Sequence, residues 1–220
     1  MLKLFFGPQS CALAAHIALE ESGLAYEAVR LDLAAGDQRK PDYLKLNPKG
    51  RVPTLLTDRG PITENPAILA YIAQTAITQT PITQTPIAQR GPQAKLAPLD
   101  DPYLFARMQA FNNYLCATVH VAHAHGRRGY RWADQQSSFD DMKRKVPESM
   151  AACFTLIENE MLEGPWVLGE TFSVADPYLY TLASWLESDQ VDPKRFPKVL
   201  DHRNRMAARP AVQRVLPLHN

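Results

Sequence analysis

The apolar positions of this chain follow a short period at first and a helical one later. Leu2, Leu4, Phe5 and Phe6 make a brief apolar run that Gly7-Pro8 ends, and Ser10 is placed to cap a helix carrying Leu13, Ile17 and Ala18 on one side. The opening therefore reads as strand, turn and helix, with Cys11 in the helix's first turn. Alternation over residues 26–31 predicts a second strand, and residues 42–46 a short helix. The turn Asn47-Pro48-Lys49-Gly50-Arg51-Val52-Pro53 leads into the apolar strand Thr54-Leu55-Leu56. Asp58-Arg59-Gly60 is a hairpin turn before Pro61-Ile62, and Glu64-Asn65-Pro66 opens a helix that buries Ile68, Leu69 and Ile72. A helix between the first two strands implies a parallel pair, whereas the hairpin adds an antiparallel edge, so a mixed four-stranded sheet is expected within residues 1–73. So small a unit is expected to lean on the remainder of the chain for its core.

Residues 74–89 break the pattern with a period-five repeat built on Gln-Thr-Pro-Ile-Thr, which fits neither helix nor strand and predicts an extended linker over 74–98. From residue 99 to 220 the period is helical. Leu104, Met108, Phe111, Leu115 and Val119 mark one long helix over residues 102–124. Met142, Val146, Met150, Phe154, Ile157 and Met161 mark another, in which Pro147 is expected to cause a kink or to offset the start. Ser173 and Asp176 have the spacing of a capping arrangement before a helix that buries Tyr178, Leu182 and Trp185. A last helix is expected near residues 199–208, with Arg205 and Arg209 solvated, and the tail after Pro210 shows no motif. The fold class is α+β, a small mixed-sheet domain followed by an all-helical bundle.

Composition narrows the function by exclusion. With 45% hydrophobic and 21% charged residues and a formal net charge of +1, the chain is an ordinary globular protein that offers no bulk attraction for nucleic acid or an anionic membrane. The basic cluster Arg127, Arg128 and Arg131 is too small to carry DNA binding. Three widely spaced cysteines, Cys11, Cys116 and Cys153, fit a reducing compartment better than a disulfide framework. No signal-peptide organisation and no apolar stretch near the roughly 20 residues of a bilayer span are visible, so a cytoplasmic protein is expected.

Cys11 is the first candidate for chemistry. Orphan amides and the helix dipole favour negative charge at a helix start, which biases a thiol there toward thiolate, although a lone cysteine can equally be a small buried hydrophobe. There is no CxxC, which argues against a dithiol redox cycle. Ser10 is the rival hydroxyl, unless it only caps the helix. Asn113 and His120 lie seven residues apart, two helical turns, and so are expected on one face; His120 would stabilise a thiolate by charge or hydrogen bonding, or else be structural. His120, His123 and His125 lack the further ligand a metal site requires, and no metal is expected. Gly126-Arg127-Arg128-Gly129-Tyr130-Arg131-Trp132 supplies guanidinium and aromatic groups, either for a substrate or as a solvated helix end.

Cys11 after a first strand, the Asn47 to Pro53 run and the Thr63-Glu64-Asn65 turn together resemble the thioredoxin-like glutathione-binding domain of cytosolic glutathione transferases. Cys11 with the following Ala12-Leu13-Ala14-Ala15-His16-Ile17-Ala18-Leu19 is similar to the bacterial beta class. The resemblance implies a cis Pro53 and a Val52 backbone that pairs with the cysteinyl segment of glutathione. It gives Glu64 and Asn65 the γ-glutamyl end, with Asn65 where the family usually has serine. It places His120 near Cys11, and Asn113 against glutathione in the partner subunit of a homodimer. The implied activity is conjugation of the glutathione thiolate, the cosubstrate, to a small hydrophobic or aromatic electrophile, with the acceptor site in the helical domain. The alternatives are glutathione-dependent reduction of a disulfide or peroxide through Cys11, and a non-catalytic interaction protein on the same scaffold.

Overall fold

The computed structural model describes residues 1–78 and 96–220, so most of the period-five repeat lies outside the described residues. Strands β1 (Leu2–Phe6), β2 (Tyr26–Arg30), β3 (Thr54–Thr57) and β4 (Gly60–Thr63) form one sheet in the order β2-β1-β3-β4. β1 pairs in parallel with β2 and antiparallel with β3, and β3 pairs antiparallel with β4, which is the mixed sheet that the crossover and the hairpin require. Alternation along β1 turns Leu2, Leu4 and Phe6 inward beneath α1 (Ala12–Ser22) and α3 (Asn65–Thr78), while Phe5 meets Tyr43 of α2 (Pro41–Leu46) edge-on at 5.7 Å. The first unit of the repeat, residues 74–78, belongs to α3 and is not extended. Its sequence has no proline, and that unit can continue the helix.

The second half contains α4 (Pro102–Tyr114), α5 (His120–Arg128), α6 (Gln136–Leu156), α7 (Ala175–Ala183), α8 (Pro197–Ala207) and α9 (Pro210–Val215). Asp101 starts α4 by accepting from the amides of Tyr103 and Leu104. One wide π-turn, Leu115–Val119, joins α4 to α5. α6 runs through Pro147 without offsetting its start; the carbonyl that proline leaves unpaired, four residues earlier, belongs to the exposed Lys143, where water can satisfy it.

The capping pair before α7 is a buried hub. The Asp176 carboxylate accepts from the amides of Ser173 at 2.7 Å and Val167 at 2.8 Å, and lies 3.0 Å from Nε2 of His202, all fully or almost fully buried. A buried charge is tolerable only when its lone pairs are met in this way.

α1 packs between α3 on one side and α7 and α9 on the other, and one apolar cluster runs from Leu4, Leu69 and Ile72 through Met108 and Phe154 to Leu182. The sheet domain thus shares its core with the helices, at about 1.5–3 kcal/mol for each large apolar side chain buried. The C-terminal tail strengthens the join. Arg209 pairs with Glu21 at 2.6 and 2.9 Å and stacks 4.0 Å over Phe172, while Arg205 donates to the Pro165 carbonyl, so neither is simply solvated as the sequence suggests. Arg214 reaches Glu20, and His219 closes on His16 of α1 with ring nitrogens 2.9 Å apart.

Candidate active site

A cavity of about 510 Å³ opens between the sheet domain and the helices. From the sheet domain it receives Ser10, Cys11, Val52, Pro53, Glu64 and Asn65; from the helices it receives His120. Every catalytic or glutathione-binding candidate therefore meets there except Asn113, which is exposed and outside the cavity of its own chain; of the candidate substrate groups Arg128, Tyr130, Arg131 and Trp132 also line it, whereas Arg127, His123 and His125 do not. The seven-residue spacing assumes 3.6 residues per turn throughout, and the π-turn Leu115–Val119 between the two positions breaks that register.

The sheet-domain wall is made largely of backbone. The Val52-Pro53 peptide is cis. The turn before it is clamped from behind: Asn47 donates to the Arg51 carbonyl at 2.8 Å and to Thr54, and the Tyr43 hydroxyl donates to the same carbonyl at 2.6 Å. Glu64 is held in the left-handed region at φ 73, a conformation that costs a non-glycine residue energy and that clusters at binding sites. Its carboxylate is exposed and paired with Lys49, which also donates to Thr63 at 2.7 Å. Asn65 is buried; its amide donates to the Cys11 carbonyl at 2.8 Å, while its side-chain oxygen has no hydrogen-bond partner.

Ser10 spends its hydroxyl locally. Oγ donates to the Gly7 carbonyl at 2.6 Å and accepts from the amide of Ala12 at 3.3 Å, the local cap its position suggests. Cys11 itself occupies the N-cap position of α1, and its thiol faces the Val52 carbonyl at 3.5 Å. Burial pushes the Cys11 thiol up to about 12, with Arg128 opposing and Cys116 adding to the rise. The expected thiolate bias is therefore reversed: loss of hydration outweighs the helix start. His120 is pushed down to about 3 by burial first and then by Arg128, His123 and Arg131, which favours the hydrogen-bonding alternative over the charged one. Its ring meets Trp185 edge-on at 5.2 Å. His123 is tied to Asp189 at 2.7 Å, and among the described residues no cluster of His, Cys, Asp or Glu could hold a metal ion.

The helical wall also contributes residues that local spacing does not reveal. Tyr178 of α7, almost fully buried, reaches the cavity near Cys11, Cys116 and Asn65, and burial raises its hydroxyl well above the ordinary range, so it stays a proton donor. Cys116, in the π-turn, lines the same space, together with Arg128 at the end of α5, one of the guanidinium groups the sequence offers for a substrate. Helical spacing marks Tyr178 only as core, and no pattern ties it to residues so far away in sequence.

A thioredoxin-like domain with a cis-proline turn, joined to a helical domain across such a cavity, defines the class of two-domain glutathione transferases. The description "Glutathione S-transferase, N-terminal domain" matches residues 1–74 and "Glutathione S-transferase, C-terminal domain" residues 120–210, and the chain belongs to the glutathione S-transferase family. It is similar to a glutathione transferase homologue from Sulfitobacter, solved with bound glutathione, at 45% identity and a TM-score of 0.89 over 99% of this chain and 98% of that one. It is also similar to the bacterial beta class glutathione S-transferase of Sphingomonas chungbukensis, at 32% identity and a TM-score of 0.80 over 99% and 98%. Glutathione S-transferase GST-4.5 of Xanthomonas campestris is 32% identical over 87% of this chain and 85% of its own length. Among the described residues no helix is long and apolar enough to cross a membrane.

Proposed function

We propose that this enzyme binds glutathione in the interdomain cavity and conjugates it, through its thiolate sulfur, to a small hydrophobic or aromatic electrophile. The observation that carries the reading is the convergence of Val52, Glu64, Asn65 and Cys11 on one cavity with His120, Tyr178 and Arg128 of the helical domain. Glu64 and Asn65 take the γ-glutamyl end, with the free Asn65 oxygen as an acceptor for its ammonium group. The Val52 backbone pairs with the cysteinyl segment, which brings the glutathione sulfur beside Cys11. Arg128 then favours the thiolate by charge and Tyr178 by hydrogen bonding; the thiol proton passes to water, and the thiolate attacks the electrophilic carbon, either expelling a leaving group with its bonding pair or adding across a polarised double bond whose far end takes up a proton. His120, being neutral, orients groups by hydrogen bonding and carries no charge to the sulfur. The protein is read as cytoplasmic and as a two-fold homodimer, in which the exposed Asn113 faces the glutathione site of the partner subunit. Calorimetric titration of the reduced protein with reduced glutathione tests the reading: saturable binding at millimolar or lower concentration supports it, and absence of binding, checked by competition with a glutathione analogue, removes it.

One observation favours a second reaction. Cys11 and Cys116 share the cavity, and a disulfide substrate could be reduced at Cys11: the thiolate attacks it and releases one half as a thiol, glutathione displaces the other half as a thiol to leave a Cys11–glutathione mixed disulfide, and a second glutathione frees Cys11 and departs as oxidised glutathione. The protonated state of Cys11 makes that the slower route, since the thiolate is the nucleophile. Cys11→Ala is expected to abolish reduction and to spare conjugation.

A further inference from the structure

The cavity carries more positive charge than glutathione can use. Arg39, Arg51, Arg128 and Arg131 all line it, and the carboxylate facing them, Glu64, is already paired with Lys49. Among the described residues none of these four guanidinium groups has an ion-pair partner, and a neighbouring hollow of about 620 Å³ continues the same lining through Arg39, Arg51 and Arg131. Arg128 is half-buried, and a cation taken part-way out of water without a counter-charge is unfavourable until an anion arrives. Loss of hydration, followed by the proximity of Arg131, pushes Arg128 downward, the sign of a cation lacking compensation.

Glutathione brings two carboxylates against one ammonium group, and its sulfur adds a negative charge only while it remains thiolate. Once the sulfur has bonded to carbon that charge is gone from the sulfur, and a positive surplus remains on the helical side. The same side carries an apolar platform: Tyr130 and Trp132 are exposed at 55% and 46%, and Trp132 is fixed edge-on against His125 at 4.4 Å.

We propose that the preferred electrophile is an aromatic carboxylate, its ring seated against Trp132 and Tyr130 and its carboxylate held by Arg128 and Arg131. The planar guanidinium fork suits a carboxylate better than a lysine would. This inference rests on the glutathione reading and narrows its second substrate from any small electrophile to an anionic one.

Product-like ligands test it without turnover. S-benzylglutathione and S-(4-carboxybenzyl)glutathione differ only by the carboxylate, and their dissociation constants are measured by calorimetry on the full-length protein at low and high salt. The carboxylated ligand is expected to bind about tenfold more tightly or better, as a charge-assisted hydrogen bond allows, with the advantage shrinking as salt rises. The advantage should vanish in an Arg128→Gln, Arg131→Gln double variant and persist in Arg127→Gln, whose side chain is exposed and outside the cavity. If the wild-type protein binds both ligands equally, or the neutral one better, the inference is wrong while the glutathione reading stands; if the advantage survives in the double variant, the assignment to these arginines is wrong. If neither ligand binds, the glutathione reading fails and takes the inference with it. The wild-type comparison decides the matter even if the double variant does not fold.

Discussion

The two walls of the cavity are built on different principles. On the sheet side, recognition groups are backbone or are tied to backbone: the Arg51 carbonyl is clamped by Asn47 and Tyr43, Asn65 is bonded to the Cys11 carbonyl, and Ser10 is bonded to Gly7. On the helical side the groups are long side chains, Tyr178, His120, Arg128 and Arg131, brought together from helices distant in sequence. The first wall is suited to a ligand of fixed shape, the second to tuning and selecting what reacts with it. The first is also shared with the core through α1, so the walls keep their spacing only while the helices hold α1 in place.

The largest effect should come from breaking the frame behind the helical wall. Asp176→Ala removes the acceptor of two buried amides and leaves His202 without its partner, and is expected to cost about 3–5 kcal/mol of stability, read as a large drop in Tm. A loss no larger than that of an ordinary surface substitution would show that the hub does not hold the wall.

Acidification should loosen the join between tail and α1. His16 and His219 are buried, and their imidazoles are pushed down, to about 4 and about 3, by loss of hydration first; each folds as the neutral form. The unfolded chain takes up protons below its ordinary value of 6.5 and the folded chain does not, so this stability is complete above pH 6.5 and is lost as pH falls toward 4. The loss is on the order of 3 kcal/mol for each histidine across that window. Denaturant unfolding at a series of pH values should show the slope, and His219→Phe should reduce it; an unchanged slope would mean that the tail is not the sensor.

A smaller effect isolates the helical wall's part in chemistry. Tyr178→Phe removes one hydroxyl from a buried ring and is expected to lower kcat/KM with a neutral aromatic electrophile about five- to tenfold, about 1 kcal/mol, with glutathione affinity nearly unchanged. A fall in glutathione affinity of the same size would move Tyr178 to the recognition wall.

The sheet wall was the more legible in sequence because its parts are local. Strand, turn and cap lie within residues 1–23, the Val52-Pro53 turn sits at the start of its own strand, and Glu64-Asn65 at the start of its own helix. What escaped depends on distance or environment. Tyr178 meets Cys11 across more than a hundred residues, so spacing marks it only as core, and Arg128, which the sequence leaves open between a substrate group and a helix end, lines the cavity only because of how the helices pack. Asn113 does not share the cavity with His120 because a π-turn between them changes the helical count. The thiol of Cys11 and the ring of His120 are governed by burial, which no local pattern states, and Arg209 finds Glu21 only after the tail folds back onto α1.

The division of labour between the walls is tested most directly by the dissociation constant for reduced glutathione, measured calorimetrically on the wild type, Asn65→Ala and Tyr178→Phe. The account predicts that Asn65→Ala weakens binding by about ten- to a hundredfold, as loss of a buried charge-assisted contact does, while Tyr178→Phe binds like the wild type. Binding by Asn65→Ala that matches the wild type would contradict it.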